Sequence, residues 1–178
     1  MVQVFGWFLA GAAGGALCDQ IHVRGGVLRY RTPRVFDQAW WVAPQFGVAM
    51  LAVLRSARVA AGDGRGRPGS VDYLTGTAWF LGAYLASAVF RRTPRLLAGV
   101  FLATWLARMA RRPDRGRLVP YALMLALAGT TYESRWSATG AFTYTAPDVA
   151  GVPLWLPGLY LHGAPLGVDV ARGQRVER

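Results

Sequence analysis

Six stretches free of charged residues run along the chain, at 1–18, 38–54, 73–90, 96–107, 118–132 and 149–168. Between them Arg, Asp, Gly and Pro crowd into short segments, the distribution a bundle crossing a bilayer needs. The runs lack the apolar–polar alternation of a barrel strand, and an open sheet edge in hydrocarbon would leave backbone groups unpaired, so the spans are expected to be helices. A hydrocarbon core of roughly 30 Å takes about 20 residues at about 1.5 Å each. The 96–107 run is the shortest, and reaches that length only if Arg95 and Arg108 snorkel from its ends. Leaving it out would strand an apolar run in a loop. The expectation is an all-α integral membrane bundle of six transmembrane helices, a single domain over 1–178 with a short basic cytoplasmic tail at 172–178. No internal repeat is read along the chain. The small residues Gly11, Ala12, Ala13, Gly14, Gly15 and Ala16 predict a flat face on the first helix for close packing.

Composition supports the membrane reading. Hydrophobic residues make up 53% of the chain and charged residues 16%, against roughly 25% charged in soluble domains. All 20 basic residues are Arg, and the net charge is +11. Nucleic-acid binding would want these Arg on one face with aromatic platforms between them. They flank apolar runs instead, which suits anionic headgroups, so nucleic acid is discounted as a partner. The absence of Lys is read as codon bias. Cys18 is the single cysteine and forms no internal disulfide. Residues 1–18 lack the basic n-region of a secretory signal, and Leu17 does not suit a lipoprotein site at Cys18, so the first run is expected to be retained.

Orientation follows from the Arg count. Arg55, Arg58, Arg65, Arg67, Arg108, Arg111, Arg112, Arg115, Arg117, Arg172, Arg175 and Arg178 fall on one side. Arg24, Arg29, Arg31, Arg34, Arg91, Arg92, Arg95 and Arg135 fall on the other. The positive-inside rule then places both termini in the cytoplasm.

Polar groups in or beside spans are the candidates for chemistry, because burying them is costly unless they are paired or wet. Asp19 and His22 stand at i and i+3 and could reach one proton or metal ion, or simply end a helix at the interface. Gln20 lies beside them, and Gln45 interrupts the second run. His162 has no nearby acid and reads as a satisfied histidine in the bundle. Glu133 is a candidate general acid or base in a lipid cavity; Arg135, two residues on, need not pair with it. No nucleophile elbow, Walker loop or zinc motif is present, so familiar hydrolase and phosphoryl-transfer chemistry is unsupported, and no cofactor or metal is expected. Trp40, Trp41, Phe142, Tyr144 and Trp155 flank apolar runs, where they read as an interfacial belt or as the lining of an apolar cavity.

Several segments in order resemble the Insig family, the insulin-induced gene proteins of the endoplasmic reticulum, and their bacterial homologues. Gln20-Ile21 ends the first helix, and Ala39-Trp40-Trp41-Val42-Ala43-Pro44 resembles the family's AWWVPP. Ala86-Ser87-Ala88 resembles an ASA in helix three, Tyr144-Thr145-Ala146-Pro147-Asp148 resembles YTSPD, and Trp155-Leu156-Pro157 resembles WLP. In this register Asp114 falls on the family's DRSR segment. The resemblance spans nearly the whole chain and implies six helices, cytosolic termini and a central cavity for a lipid. It implies Gln20, Trp41, Phe80, Tyr144 and Trp155 as lipid-binding residues and Asp114 as a partner-binding residue. Animal members bind oxysterols and retain the escort protein Scap. A Scap-like escort applies only in a eukaryote, and bacterial relatives point to a diacylglycerol-like lipid. The family's glutamine at the start of helix four falls near Leu96 or Leu97, and of its paired tryptophans only Trp105 is near, which weakens the case for a sterol.

The leading expectation is therefore a non-catalytic lipid-binding protein of the bacterial inner membrane, compatible with a homo-oligomer. The alternative is a membrane enzyme acting on an isoprenoid lipid with Glu133 as acid/base, because Glu133 and Thr139-Gly140-Ala141-Phe142-Thr143-Tyr144 resemble the E…TG.F.Y segment of carotenoid hydratase-like proteins. A transporter is disfavoured by midplane residues that are mostly Ala, Leu and Gly.

Overall fold

The computed structural model describes residues 2–62 and 68–174. Six helices account for most of them: α1 (Val2–Arg24), α2 (Val42–Ala61), α3 (Ser70–Val89), α4 (Pro94–Arg111), α5 (Arg115–Ala138) and α6 (Leu156–Gly173). Each covers most of one of the six apolar runs, while 38–41 and 149–155 fall in the connections before α2 and α6. The shortest run extends at both ends into the 18-residue α4, about 27 Å long. Pro94 starts that helix, its fixed φ and missing N–H costing nothing in a first turn. At the start of α3 the Asp72 carboxylate accepts the Gly69 N–H at 2.8 Å, occupying a donor the helix leaves free. Arg65, Arg67, Arg175 and Arg178, used in the orientation count, lie outside the described residues, as does most of the basic tail.

Helix α6 is the axis of the bundle, packed against α2, α3, α4 and α5. Most of its residues are buried, including His162, Asp169 and Arg172. Helix α1 is mainly exposed and packs chiefly on α2. This contrast decides where polar residues are tolerated. An outer helix facing hydrocarbon must be apolar nearly all round, whereas one enclosed by protein can carry charges if neighbours satisfy them. Among the described residues α1 is the one helix long and apolar enough on its own to cross a membrane. Exposed apolar side chains nevertheless continue around the other outer helices, among them Val48, Leu74, Leu85, Leu102, Leu106, Leu123 and Leu127.

Beyond the all-α expectation, two short strands pair. Strands β1 (Leu28–Tyr30) and β2 (Phe142–Tyr144) form an antiparallel ladder, with Leu28 opposite Tyr144, Arg29 opposite Thr143 and Tyr30 opposite Phe142. The ladder joins the α1–α2 and α5–α6 connections at one end of the bundle. It exposes an internal repeat that the sequence reading missed. A shift of 114 positions carries Tyr30 onto Tyr144 and also superposes Gly15 on Gly129, Gly26 on Gly140, Pro33 on Pro147, Val35 on Val149 and Trp41 on Trp155. After each strand the chain makes the same tight turn, bridged Val35 to Gln38 and Val149 to Val152. Phe36 and Asp37 in one turn, and Ala150 and Gly151 in the other, take positive φ. The unit α1–β1–α2 is thus repeated as α5–β2–α6, and the ladder register is symmetric about the Arg29–Thr143 pair.

Small residues set the helix spacing within each unit. A side chain on Gly15 would run into the Phe46 ring, and one on Gly129 into Tyr160, the pair related by the same shift. Nothing lies within 4 Å of a side chain added at Gly14. Gly15→Leu is therefore expected to cost about 1–3 kcal/mol by overpacking. Gly14→Ala is expected to be neutral or to stabilise by up to about 1 kcal/mol through helix propensity. Thermal unfolding in detergent measures both; equal effects would rule out the packing argument.

Candidate functional site

Two polar clusters lie at opposite ends of the bundle. The first surrounds the strand ladder. Asp19, on α1, accepts hydrogen bonds from the Tyr30 hydroxyl at 2.9 Å and Gln38 Nε2 at 2.8 Å. Glu133, on α5, accepts one from the Tyr144 hydroxyl and another from Tyr160 at 2.6 Å. Asp19 and Glu133 each sit 11 residues before their tyrosine, so these are the two copies of one carboxylate–tyrosine pair. The contacts across the copies also match. Trp155 packs edge-on to His22, with ring centroids 5.5 Å apart, while Trp41 stacks on Trp136 at 5.0 Å.

Asp19 and His22 do not converge on one ion. Asp19 is taken by the loop, and His22 Nε2 lies 2.7 Å from Ser87 Oγ on α3. The Ser87 hydroxyl donates to the Tyr84 carbonyl at 2.9 Å. With its proton committed there, Ser87 can only accept from His22, which fixes the Nε2–H tautomer. Neither residue is interfacial as the simpler expectation had it: both are buried. The tyrosine clasp on Glu133 leaves Arg135 exposed and apart from it.

The belt expectation for the flanking aromatics needs correction. Trp40 is 69% exposed, but Phe142, Tyr144 and Trp155 are buried in the core, because the ladder and its turns fold them inward. Of the residues implied as lipid contacts, Tyr144 and Trp155 form closed core. Trp41 and Phe80 are half-buried around that core, together with Ile21, Trp136 and Tyr160. Phe80 rests against Gly163 of α6 and meets Tyr84 edge-on with centroids 5.2 Å apart. Gln20 is half-buried, and its Nε2 is enclosed without a hydrogen-bond partner.

The second cluster is an ionic knot at the end bearing the α4–α5 turn. Arg112 grips two carboxylates at once, Asp114 through Nε and Nη2 at 2.9 Å and Asp169 through Nη1 and Nη2 at 2.9 and 2.8 Å. Arg172 donates from Nη2 to Asp114 at 2.8 Å and from Nε to the Ala61 carbonyl at 3.0 Å. Two cations and two anions cancel, which makes their burial tolerable. Burial pushes the Asp114 carboxyl up, but the bonds from Arg112 and Arg172 outweigh it and hold the pKa at about 2. A depression of about 300 Å³ beside the knot is lined by Ala60, Ala61, Pro113, Asp114, Gly116, Arg117 and Arg172. Asp169, Tyr160 and Trp136 were not singled out in the sequence, and Arg112 and Arg172 entered only the orientation count.

His162 is satisfied inside the bundle. Arg108 Nη1 donates to its Nδ1 at 3.0 Å, so Nε2 carries the proton and faces the Phe101 carbonyl at 3.1 Å. Trp79 stacks on the imidazole with centroids 5.4 Å apart.

Among solved structures the chain is similar to a mycobacterial Insig homologue, MvINS from Mycobacterium vanbaalenii. The TM-score is 0.81 at 20% sequence identity, over 100% of this chain and 96% of that one. It is also similar to a cross-linked trimer of a cysteine variant of MvINS, with a TM-score of 0.79 at 21% identity and the same coverage. No family profile matches the chain, and no curated protein does. The fold is that of a bacterial Insig homologue.

Proposed function

We propose that this Insig-like chain is an integral membrane protein of the bacterial inner membrane with both termini cytoplasmic. It holds one lipid, diacylglycerol-like or sterol-like, between its helices without transforming it. The exposed apolar side chains around the outer helices support the membrane setting, since a contiguous apolar surface of that kind is rare on monomers in water. The observation that carries the lipid reading is the pairing of half-buried aromatics with an unpaired polar group. Trp41, Phe80, Trp136 and Tyr160 ring the core, and Gln20 Nε2 is buried with a hydrogen left to donate. Apolar walls with few, well-placed polar groups are what a lipid-sized ligand requires. In this reading Tyr144 and Trp155 set the floor, and Gln20 meets a hydroxyl or ester oxygen.

A homo-oligomer belongs to the same reading, supported by the cross-linked trimer of the other protein. Asp114 would serve a partner through the shape of the turn it holds, because its carboxylate is engaged by Arg112 and Arg172.

Lipid extraction from purified protein tests the proposal. Wild type is expected to carry a near-stoichiometric lipid, and Phe80→Ala or Trp41→Ala to lower its retention severalfold. Empty wild-type protein, or variants with unchanged lipid content, would overturn it.

A second reading rests on Glu133. A half-buried carboxylate held by two phenols could exchange a proton with a double bond or alcohol, as the hydratase-like resemblance implies.

A further inference from the structure

The side chain of Arg108 is not explained by the lipid cavity or by the ionic knot. It leaves α4 toward α6 and is half-buried. Its Nη1 reaches His162 Nδ1 at 3.0 Å and the His162 carbonyl at 3.4 Å. Its guanidinium carbon lies 5.1 Å from the centre of the Trp79 ring on α3. These partners are all neutral. Among the described residues no carboxylate lies within ion-pair distance of Arg108, although Arg112, one turn on, is bound to two.

One edge of the guanidinium is therefore unspent. Nε and Nη2 make no hydrogen bond to any described residue, and neither is among the enclosed polar atoms that lack a partner, so that edge opens outward. The Nε/Nη2 edge of Arg presents parallel N–H groups spaced to grip two oxygens of a phosphate or carboxylate. His162 and Trp79 hold it in place, so little rotamer entropy is lost when an anion arrives.

The surroundings select the anion. Helices α3 and α4 barely touch one another, leaving a cleft floored by α6. Its outer walls are apolar: Trp79 on α3 is 38% exposed, and Val100, two turns before Arg108 on the same flank of α4, is 46% exposed. Arg108 stands three residues before the end of α4, about 4.5 Å along its axis, and the exposed Arg111 and Arg115 rim that end. In a bilayer this is the boundary between acyl chains and headgroups.

We propose that the α3–α4 cleft is a binding site for one anionic phospholipid. Its phosphate is gripped by the Nε/Nη2 edge of Arg108, and its acyl chains lie against Trp79 and Val100. The site is distinct from the cavity proposed for a neutral lipid, and its test does not depend on that cavity.

Native mass spectrometry of detergent-purified protein, offered equimolar phosphatidylglycerol and phosphatidylcholine, provides the test. Wild type is expected to prefer phosphatidylglycerol by roughly tenfold, as for a charge-assisted bidentate contact. Arg108→Gln is expected to abolish the preference, and Arg111→Gln, which removes a neighbouring charge without the cleft, to leave most of it. Arg108→Lys keeps the charge but loses the fork, and is expected to retain only part. It also decides the matter if Arg108→Gln does not fold, because a Lys variant as selective as wild type would overturn the proposal. Equal losses in Arg108→Gln and Arg111→Gln would reduce the effect to diffuse attraction and overturn it. Displacement of phosphatidylglycerol by millimolar inorganic phosphate would assign the edge to free phosphate and overturn the lipid assignment.

Discussion

Arg172→Ala is expected to be among the most damaging single substitutions in the chain, costing about 3–5 kcal/mol as the removal of one partner from a buried ion cluster does. The loss goes beyond one contact. Without Arg172, Asp114 loses one of the cations that hold it, and the Ala61 carbonyl at the end of α2 loses its donor at 3.0 Å. Three elements, α2, the α4–α5 turn and α6, are released at one point. Replacing Asp169 and Arg172 together by Leu should cost less than the two single changes added, because no isolated charge is left buried. The same knot predicts a pH dependence. The folded pKa of Asp114, about 2, lies below its ordinary 3.8, so its contribution is present in full above that value and is lost as pH falls from about 4 through 2. In Asp114→Asn the contribution is absent throughout, so the gap in melting temperature between variant and wild type should close across that window. Tryptophan-monitored unfolding from pH 6 to 2 measures it; a constant gap would show that the Asp114 charge is not what the knot uses.

How far the sequence disclosed this structure depended on the range of the interaction. The six helices were legible because each needs its own apolar run, and even the 12-position run at 96–107 was recoverable from its flanking Arg. The placing of His162 followed from the lack of an acid near it in sequence. Orientation of the aromatics was not legible. An aromatic at the end of an apolar run can face headgroups or fold inward, and Trp155 and Tyr144 fold inward because β2 pairs with a strand more than 100 residues earlier. The repeat was missed for a related reason. Few identities survive between the copies, and what persists is a set of contacts: small residue against aromatic, carboxylate against tyrosine, tryptophan at the helix start. Asp19 and Glu133 differ in residue type, and Phe46 and Tyr160 differ by one hydroxyl, which in the second copy reaches the carboxylate. The ionic knot was hidden because Arg112 and Asp169 are 57 residues apart and Asp169 begins one position beyond the last apolar window.

Glu133 is the position where a single change should have the second large effect, and where binding and catalysis separate. Glu133→Ala takes the acceptor from the hydroxyls of the buried Tyr144 and the half-buried Tyr160, and at roughly 1–3 kcal/mol for a buried unpaired donor, less for one that water can reach, the loss is about 2–4 kcal/mol. Glu133→Gln keeps one acceptor oxygen but brings an NH₂ group against a hydroxyl, which can turn to accept it, so the cost should be only about 1–2 kcal/mol. The equivalent change in the other copy, Asp19→Asn, should cost no more, since Tyr30 and Gln38 both donate to one oxygen, Oδ2, whose place the amide oxygen can take. The Gln variant is the informative one because it folds and cannot shuttle a proton. If the chain only holds its lipid, Glu133→Gln should retain the lipid found in wild type, and neither protein should convert an isoprenoid alkene or alcohol. If the chain is an enzyme, wild type should turn over such a substrate and Glu133→Gln should lose the activity at least a hundredfold, in the range set for a missing general acid or base. Turnover that survives Glu133→Gln would remove the carboxylate from the chemistry, and lipid loss without turnover would make it a binding residue.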